Sequence, residues 1–119
     1  MIRTTEYMNH AAKLMVSKME NIKIEECKLC KNGIDGIPNC KAGECDLPIE
    51  LVNKDGRIGV VTSNLKNGQW DFPIDDRTFN IYYFFGFDEN YDNISHVWKI
   101  PGEEVIKGLG NNAGMNFAK

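Results

Sequence analysis

Apolar positions recur every three or four residues near the start of the chain. One stripe consists of Met8, Ala12, Met15 and Met19, and an adjacent stripe consists of Tyr7, Ala11 and Leu14. This period is that of an amphipathic helix, and it predicts one over residues 5–19. Thr4 or Thr5 is a suitable N-cap. We expect the methionine-rich face to lie in the core. His10 is predicted on the polar side of the helix.

The middle of the chain alternates short apolar runs with turn signals. Residues 48–52 and 57–62 flank Asp55-Gly56, and this pattern predicts a β-hairpin. A second turn is predicted at Lys66-Asn67-Gly68. A short strand over residues 70–74 follows, and Pro73 places it at the edge or end of a sheet.

Residues 81–87 read Ile-Tyr-Tyr-Phe-Phe-Gly-Phe without polar alternation. Such a run predicts a central strand that is covered on both faces. In the next run, Ile94, His96, Trp98 and Ile100 are predicted to share one face of a strand, with Ser95, Val97 and Lys99 on the other. Residues 103–107 are predicted to form one helical turn, and residues 108–119 show no period and are expected to fray.

These elements predict an α+β protein in which the N-terminal helix packs on a mainly antiparallel sheet of about five strands. The 119 residues fit one domain. Within that domain, residues 27–45 form a cysteine loop, residues 46–107 form the sheet core and residues 108–119 form a flexible tail.

All four cysteines lie in that loop, as Cys27, Cys30, Cys40 and Cys45. Two short thiolate pairs joined by a loop that contains glycine and proline suit one tetrahedral ion, and zinc is the ion that prefers four sulfur ligands. We therefore predict structural zinc on these four residues. Two disulfides, or four reduced thiols without a ligand, are the alternatives.

Charge and composition restrict the partners. The net charge is −3, and residues 46–119 carry the acidic excess, which argues against strong non-specific nucleic-acid binding by that part. Lysines near the cysteines could form a local basic patch; they are Lys23, Lys28, Lys31 and Lys41. No apolar run is long enough to cross a membrane and no export signal is evident, so we expect a cytoplasmic protein. A reducing compartment favours metal over disulfides.

The order of segments resembles the PD-(D/E)XK nuclease superfamily, which has the restriction-endonuclease-like fold. The resemblance covers roughly residues 46–107, with residues 7–19 as the first helix. It is carried by five segments: Glu50-Leu-Val, 57–63, 66–72, 82–88 and His96-Val-Trp-Lys-Ile-Pro101. It implies two acids that hold Mg²⁺ and a lysine that positions the attacking water.

The chain departs from the family's pattern at the catalytic positions. The first acid could be Asp46 or Glu50, but the acid-x-Lys positions of the second hairpin strand hold Gly59 and Val61. Glycine supplies no ligand and valine no charge. Asp71 is a conceivable substitute acid, and the conceivable substitute lysines are Lys54, Lys66 and Lys99.

Three functional hypotheses follow. The first is a zinc-binding, nuclease-fold protein that is catalytically inactive and binds DNA or a protein partner. The second is an active Mg²⁺-dependent DNA endonuclease in which Asp46, Glu50, Asp71 and a nearby lysine carry the chemistry. The third is a small zinc-stabilised regulatory module unrelated to nucleases. We favour the first and expect no cleavage.

Overall fold

A computed structural model describes residues 5–23, 50–91 and 93–119 of the chain. The predicted helix is present as α1 (Thr5–Met19). The hairpin is present as β1 (Leu51–Asn53) and β2 (Gly56–Asn64). Then follow β3 (Gln69–Pro73), β4 (Ile81–Phe87), β5 (Ile94–Pro101), α2 (Gly102–Leu109) and β6 (Gly114–Ala118). Neither of these two helices is long and apolar enough to cross a membrane.

Among the described residues, the main sheet has four strands in the order β1-β2-β4-β5, and β3 pairs with β6 in a separate two-stranded sheet. The α+β class is confirmed, but the prediction of a mainly antiparallel sheet is wrong at its centre. β2 and β4 are parallel over seven residue pairs, from Ile58–Ile81 to Asn64–Phe87. The reason is that the chain does not turn back directly after β2. It first forms β3, which packs on the second face of the main sheet, and then returns to form β4 beside β2 in the same direction.

The main sheet separates two apolar layers. On one face, α1 packs on the sheet through residues that include Met8, Ala11, Ala12, Val16, Leu51, Ile58, Tyr83, Phe85 and Phe87. On the other face, the small sheet and α2 enclose a cluster made of Leu65, Trp70, Phe72, Ile74, Tyr82, Phe84, Val105 and Leu109. Side chains alternate between the two faces along a strand. β4 therefore supplies large residues to both layers, as its apolar run predicts.

Helix α1 is more buried than its amphipathic pattern indicates. Met8 and Ala12 are buried as predicted, whereas Met19 is half exposed. His10, predicted on the polar side, is only 6% exposed, and Leu14 and Ser17 are completely buried. The prediction for His10 is therefore wrong.

A β-bulge changes the face that one predicted residue occupies. Gly86 pairs with His96, but the next residue, Phe87, pairs with Ile94, so that Ser95 is the extra residue. Ile94 consequently packs with the α1 layer, while Trp98 and Ile100 pack in the second layer. The prediction that Ile94 shares a face with these residues is wrong because an inserted residue reverses the alternation.

The segment 108–119 contains regular structure where the sequence predicts fraying. Helix α2 extends to Leu109, and β6 pairs antiparallel with β3 from Gln69–Ala118 to Pro73–Gly114. The position of Pro73 as the last residue of β3, in a sheet of only two strands, agrees with the predicted edge.

Candidate functional site

The acid-x-Lys positions of the nuclease resemblance lie on β2, on the face that the small sheet covers. Gly59 is buried, and a Cβ atom at this position would lie 2.5 Å from Cδ2 of Phe79. Real Cβ contacts are essentially never so short, so the Phe79 ring fills the space that an acidic side chain would need. Val61 packs against the aromatic cluster of the second layer. The residues present therefore do not fit a Mg²⁺ site at these positions.

Glu50 immediately precedes β1, and its carboxylate is occupied by a cation. Oε1 of Glu50 accepts hydrogen bonds from Nε of Arg57 at 3.0 Å and from the terminal nitrogen NH2 at 2.5 Å. The same guanidinium contacts Oδ2 of Asp76 at 3.0 Å and also donates to the hydroxyl of Thr78. It lies 4.5 Å from the centre of the Phe79 ring. Arg57 thus links Glu50 to the segment that contains Phe79, whose ring fills the space beside Gly59.

The carboxylate of Asp76 is held ionised by this network. The Thr78 hydroxyl, its backbone N–H and the Arg57 guanidinium, in that order, lower the pKa of Asp76 to about 2. The two acids raise the pKa of Arg57 further above its usual value, Glu50 more than Asp76. Asp76 and Arg57 are therefore charged near neutral pH, and neither is suited to accept and return a proton there.

Asp71 belongs to a different part of the fold. It lies on β3, where its Oδ1 atom accepts a hydrogen bond from Nε2 of Gln69 at 2.9 Å. Asn116 is directly opposite on β6, and its amide, with the nitrogen facing Asp71, donates to Oδ1 at 2.8 Å. Asp71 borders a shallow cleft of about 430 Å³. Asp71 thus bonds to uncharged amides of the small sheet, whereas Glu50 bonds to Arg57 of the main sheet. The two acids therefore have no partner in common among these contacts.

The remaining predicted ligands are outside the described residues. These are Asp46 and the four zinc-ligand candidates Cys27, Cys30, Cys40 and Cys45. Within residues 5–23, 50–91 and 93–119, no three His, Cys, Asp or Glu side chains lie close enough to hold a metal ion together. The catalytic set of Asp46, Glu50 and Asp71 stays a prediction. Glu50 and Asp71 contact other groups, namely Arg57 and Gln69.

A polar cluster that the sequence reasoning missed lies at the C-terminal end of α1. Glu20 is only 12% exposed. Its Oε1 atom accepts a hydrogen bond from the hydroxyl of Tyr83 and lies 3.1 Å from Nζ of Lys99. Its Oε2 atom accepts a hydrogen bond from Nδ2 of Asn53 at 3.1 Å. One carboxylate therefore joins α1 to three strands of the main sheet: β1, β4 and β5.

The charges in this cluster stabilise one another. The Tyr83 hydroxyl, then the Asn53 amide and the Lys99 ammonium, lower the pKa of Glu20 despite its burial. Hydrogen bonding to Glu20 and Tyr83 raises the pKa of Lys99, and burial followed by the contact with Glu20 raises the pKa of Tyr83. At neutral pH the carboxylate is ionised and both donors keep their protons. The arrangement suits a fixed anchor better than proton transfer.

The cluster borders a groove of about 700 Å³. Its lining combines apolar and charged side chains: Met19, Glu20, Asn21, Ile22, Val52, Asn53, Lys54, Asp55 and Lys99. Two of the three substitute lysines, Lys54 and Lys99, lie here, whereas Lys66 lies in the turn before β3. Lys23 is the last described residue before the cysteine loop, and Glu50 is the first described residue after it. Both are close in sequence to residues that line this groove, Ile22 and Val52. No local pattern marks Glu20, since its partners are 33, 63 and 79 residues away in the sequence.

Comparison of the chain with protein-family models, with curated proteins and with solved structures gives no match. The relation to the PD-(D/E)XK nucleases accordingly remains a proposal based on the order and composition of the segments.

Proposed function

We propose that this chain is a zinc-stabilised, nuclease-like protein that has no nuclease activity and acts by binding DNA or a protein partner. The observation that carries the loss of activity is the packing of Phe79 against Gly59. If the resemblance holds, the acid of the acid-x-Lys pair belongs at residue 59, and this position lacks both the carboxylate and the space for one. The core packing at residue 59 therefore supports the proposed loss of nuclease activity, in addition to the sequence.

The engagement of Glu50 supports the same proposal. A carboxylate that holds Mg²⁺ must present free lone pairs to the ion. Arg57 already donates two hydrogen bonds to Glu50 and a further one to Asp76. Release of Glu50 would leave the guanidinium with fewer acceptors. Glu50 is thus better suited to holding β1 against the segment that precedes β4.

DNA is the first partner to test because lysines lie near the described residues that precede and follow the cysteine segment in the sequence. Lys23 and Lys54 are exposed in this region, as is Lys99, whose ammonium also pairs with Glu20. The cysteine segment itself adds Lys28, Lys31 and Lys41. Lysines bind DNA mainly through phosphates, and such binding weakens with salt. The acidic excess of residues 46–119 limits this contact to one local region of the surface. In the proposal, zinc on the four cysteines orders the segment that carries half of these lysines.

The experiment combines a cleavage assay with a binding assay on the zinc-loaded full chain. We expect no Mg²⁺-dependent cleavage of plasmid DNA, together with retention of a DNA duplex at low salt. Cleavage that disappears in Glu50→Ala or Asp46→Ala would instead establish the active endonuclease. Absence of DNA retention at low salt would leave a protein partner or the regulatory module.

A matched pair of lysine variants tests the location of the contact. Lys54→Ala is expected to weaken DNA retention and to reduce the slope of log K against log salt by about 0.9, the value for one phosphate contact. Lys107→Ala, on α2, removes an equally exposed cation from another element and is expected to leave the slope unchanged. Equal effects of the two variants would contradict a local contact.

A further inference from the structure

β5 forms one edge of the main sheet and pairs only with β4 among the strands of the described residues. It is eight residues long, whereas β1, at the opposite edge, has only three. A long edge strand offers unpaired N–H and C=O groups to another strand, and proteins usually protect such edges with charges, prolines or bulges. The protection of β5 is therefore informative.

The features of β5 that could prevent pairing with another strand lie at its ends, or are charges that a neighbouring residue already pairs with. Pro101 is its last residue, and the bulge lies at its beginning, at Ser95. Lys99 is the only charged residue of the strand, and its ammonium is drawn to Glu20 at 3.1 Å. The stretch His96-Val97-Trp98 between these features contains no lysine, arginine or carboxylate side chain that would repel another strand. Val97 is a β-branched apolar residue and is 39% exposed.

The sequence of β5 is complementary to itself in one antiparallel arrangement. With the two-fold axis at Val97, this valine faces its own copy, His96 faces Trp98, and Ser95 faces Lys99. Apolar residues then meet, rings meet rings, and no like charges are opposed, which are the favourable cross-strand pairs. A shift that centres on Trp98 would instead place Val97 against the ammonium of Lys99.

The aromatic residues of β5 are already arranged to extend such a contact. The rings of His96 and Trp98 are stacked with centroids 5.5 Å apart, and Trp98 is stacked on Phe117 of β6 at 4.6 Å. His96 is exposed and Trp98 is partly exposed. A second copy would continue this row of rings across the edge. Aromatic pairs contribute beyond the area that they bury.

We propose that β5 is the interface for a second copy of this chain, joined edge to edge so that the two main sheets form one continuous sheet. The contact is isologous, since the same strand serves both partners, and it is a strand-addition interface. It lies at the edge opposite β1. The inference is independent of any nuclease ancestry and of the DNA contact.

The experiment measures the mass of the zinc-loaded full chain by sedimentation at concentrations from about 1 µM to 1 mM, a range that spans weak to moderate association. The wild type is expected to pass from monomer to dimer in this range. Val97→Glu places two carboxylates face to face at the axis, and it is expected to remain monomeric. Val52→Glu, at an exposed position of β1, is the matched control and is expected to dimerise as the wild type does.

A charge exchange keeps the test decisive if Val97→Glu folds poorly. Val97→Lys alone is also expected to stay monomeric, whereas an equimolar mixture of Val97→Glu and Val97→Lys is expected to form a one-to-one dimer, because opposite charges then meet at the axis. A wild type that stays monomeric throughout the range would overturn the proposal. So would dimers of either single variant, or a mixture that remains monomeric.

Discussion

Gly86 lies so close beneath the indole of Trp70 that a Cβ atom on the glycine would be 2.8 Å from Cε2 of the ring. The indole Nε1 donates a hydrogen bond to the backbone carbonyl of Phe87 at 2.8 Å. Trp70 is completely buried. This contact locks the small sheet onto the main sheet, because Trp70 belongs to β3 and Gly86 to β4.

Gly86→Ala is therefore expected to lower the free energy of unfolding by about 1–3 kcal/mol, the usual effect of an added methyl group in a packed core. Urea denaturation measures the change. Gly108→Ala is the control, since the nearest atom to its Cβ is the mobile end of Met115 at 3.3 Å, and its effect should stay within about 1 kcal/mol. Equal stability of Gly86→Ala and the wild type would contradict the close packing.

Glu20→Gln is expected to destabilise the protein by about 1–2 kcal/mol at pH 7, because hydrogen bonds to a charged group are lost. The pKa of Glu20 is lowered in the folded protein. Its stabilisation is therefore complete above the ordinary pKa of 4.5 and is lost as the pH falls through the folded-state pKa.

The difference in unfolding free energy between wild type and Glu20→Gln should consequently shrink toward acid pH. Urea denaturation between about pH 3 and pH 7 measures it. Glu104→Gln, at an exposed position of α2, should show only a small difference over the same range. A Glu20→Gln difference that stays constant across the range would show that the ionised carboxylate contributes nothing specific.

Thr78→Ala is expected to raise the pKa of Asp76 from about 2 toward its ordinary value of 3.8. The Thr78 hydroxyl is the largest cause of the lowered pKa, and its oxygen lies 2.5 Å from Oδ1 of Asp76. An NMR titration of the Asp76 carboxyl carbon measures the shift. Thr78→Ser keeps a hydroxyl and should keep the low pKa. An unchanged pKa in Thr78→Ala would assign the effect to Arg57 and the backbone instead.

Gly59→Ala is expected to cost about 1–3 kcal/mol, because the new methyl group meets the Phe79 ring. In a Phe79→Ala background the same substitution should cost much less, since the ring is gone. A double-mutant cycle of unfolding free energies measures the coupling between the two positions. Additive effects would contradict the close packing of Phe79 against Gly59.

One zinc ion per chain is expected in native mass spectrometry, lost in Cys27→Ser or Cys40→Ser. Chelation should lower the melting temperature, because the binding of a structural metal and local folding are coupled. Asp88→Asn, which changes a residue that is not a zinc-ligand candidate, should retain the metal. Disulfide bonds in freshly isolated protein would contradict the zinc prediction.

The sequence predicted the elements whose signals are local. The helix over residues 5–19 has the bounds that its apolar period indicates, because each turn is specified by residues three and four positions apart. The hairpin around Asp55-Gly56 forms for a similar reason, and β4 is covered on both faces as its unbroken apolar run requires. The zinc site rests on the same kind of local signal, the cysteine spacing, and it stays a prediction because the cysteines lie outside the described residues.

Pairings between distant segments could not be predicted. An apolar run has the same composition whether its neighbour is parallel or antiparallel, so the parallel pairing of β2 with β4 depended on the path of β3. β6 has no clear period, and it is ordered by backbone pairing with β3. The sequence suggests Glu50 and Asp71 as candidate catalytic acids, which stays a prediction, and their partners Arg57 and Asn116 emerge only from folding.

The sequence by itself determined helix α1, the β1–β2 hairpin and the apolar strand β4, and the absence of an acid and a lysine at residues 59 and 61. Only the tertiary structure decided that the Phe79 ring fills the space beside Gly59 and that Glu20 joins one helix to three strands. The physical reason is that helix period and turn chemistry act between near neighbours. Packing and buried charge pairs instead depend on which distant residues the completed sheet brings together.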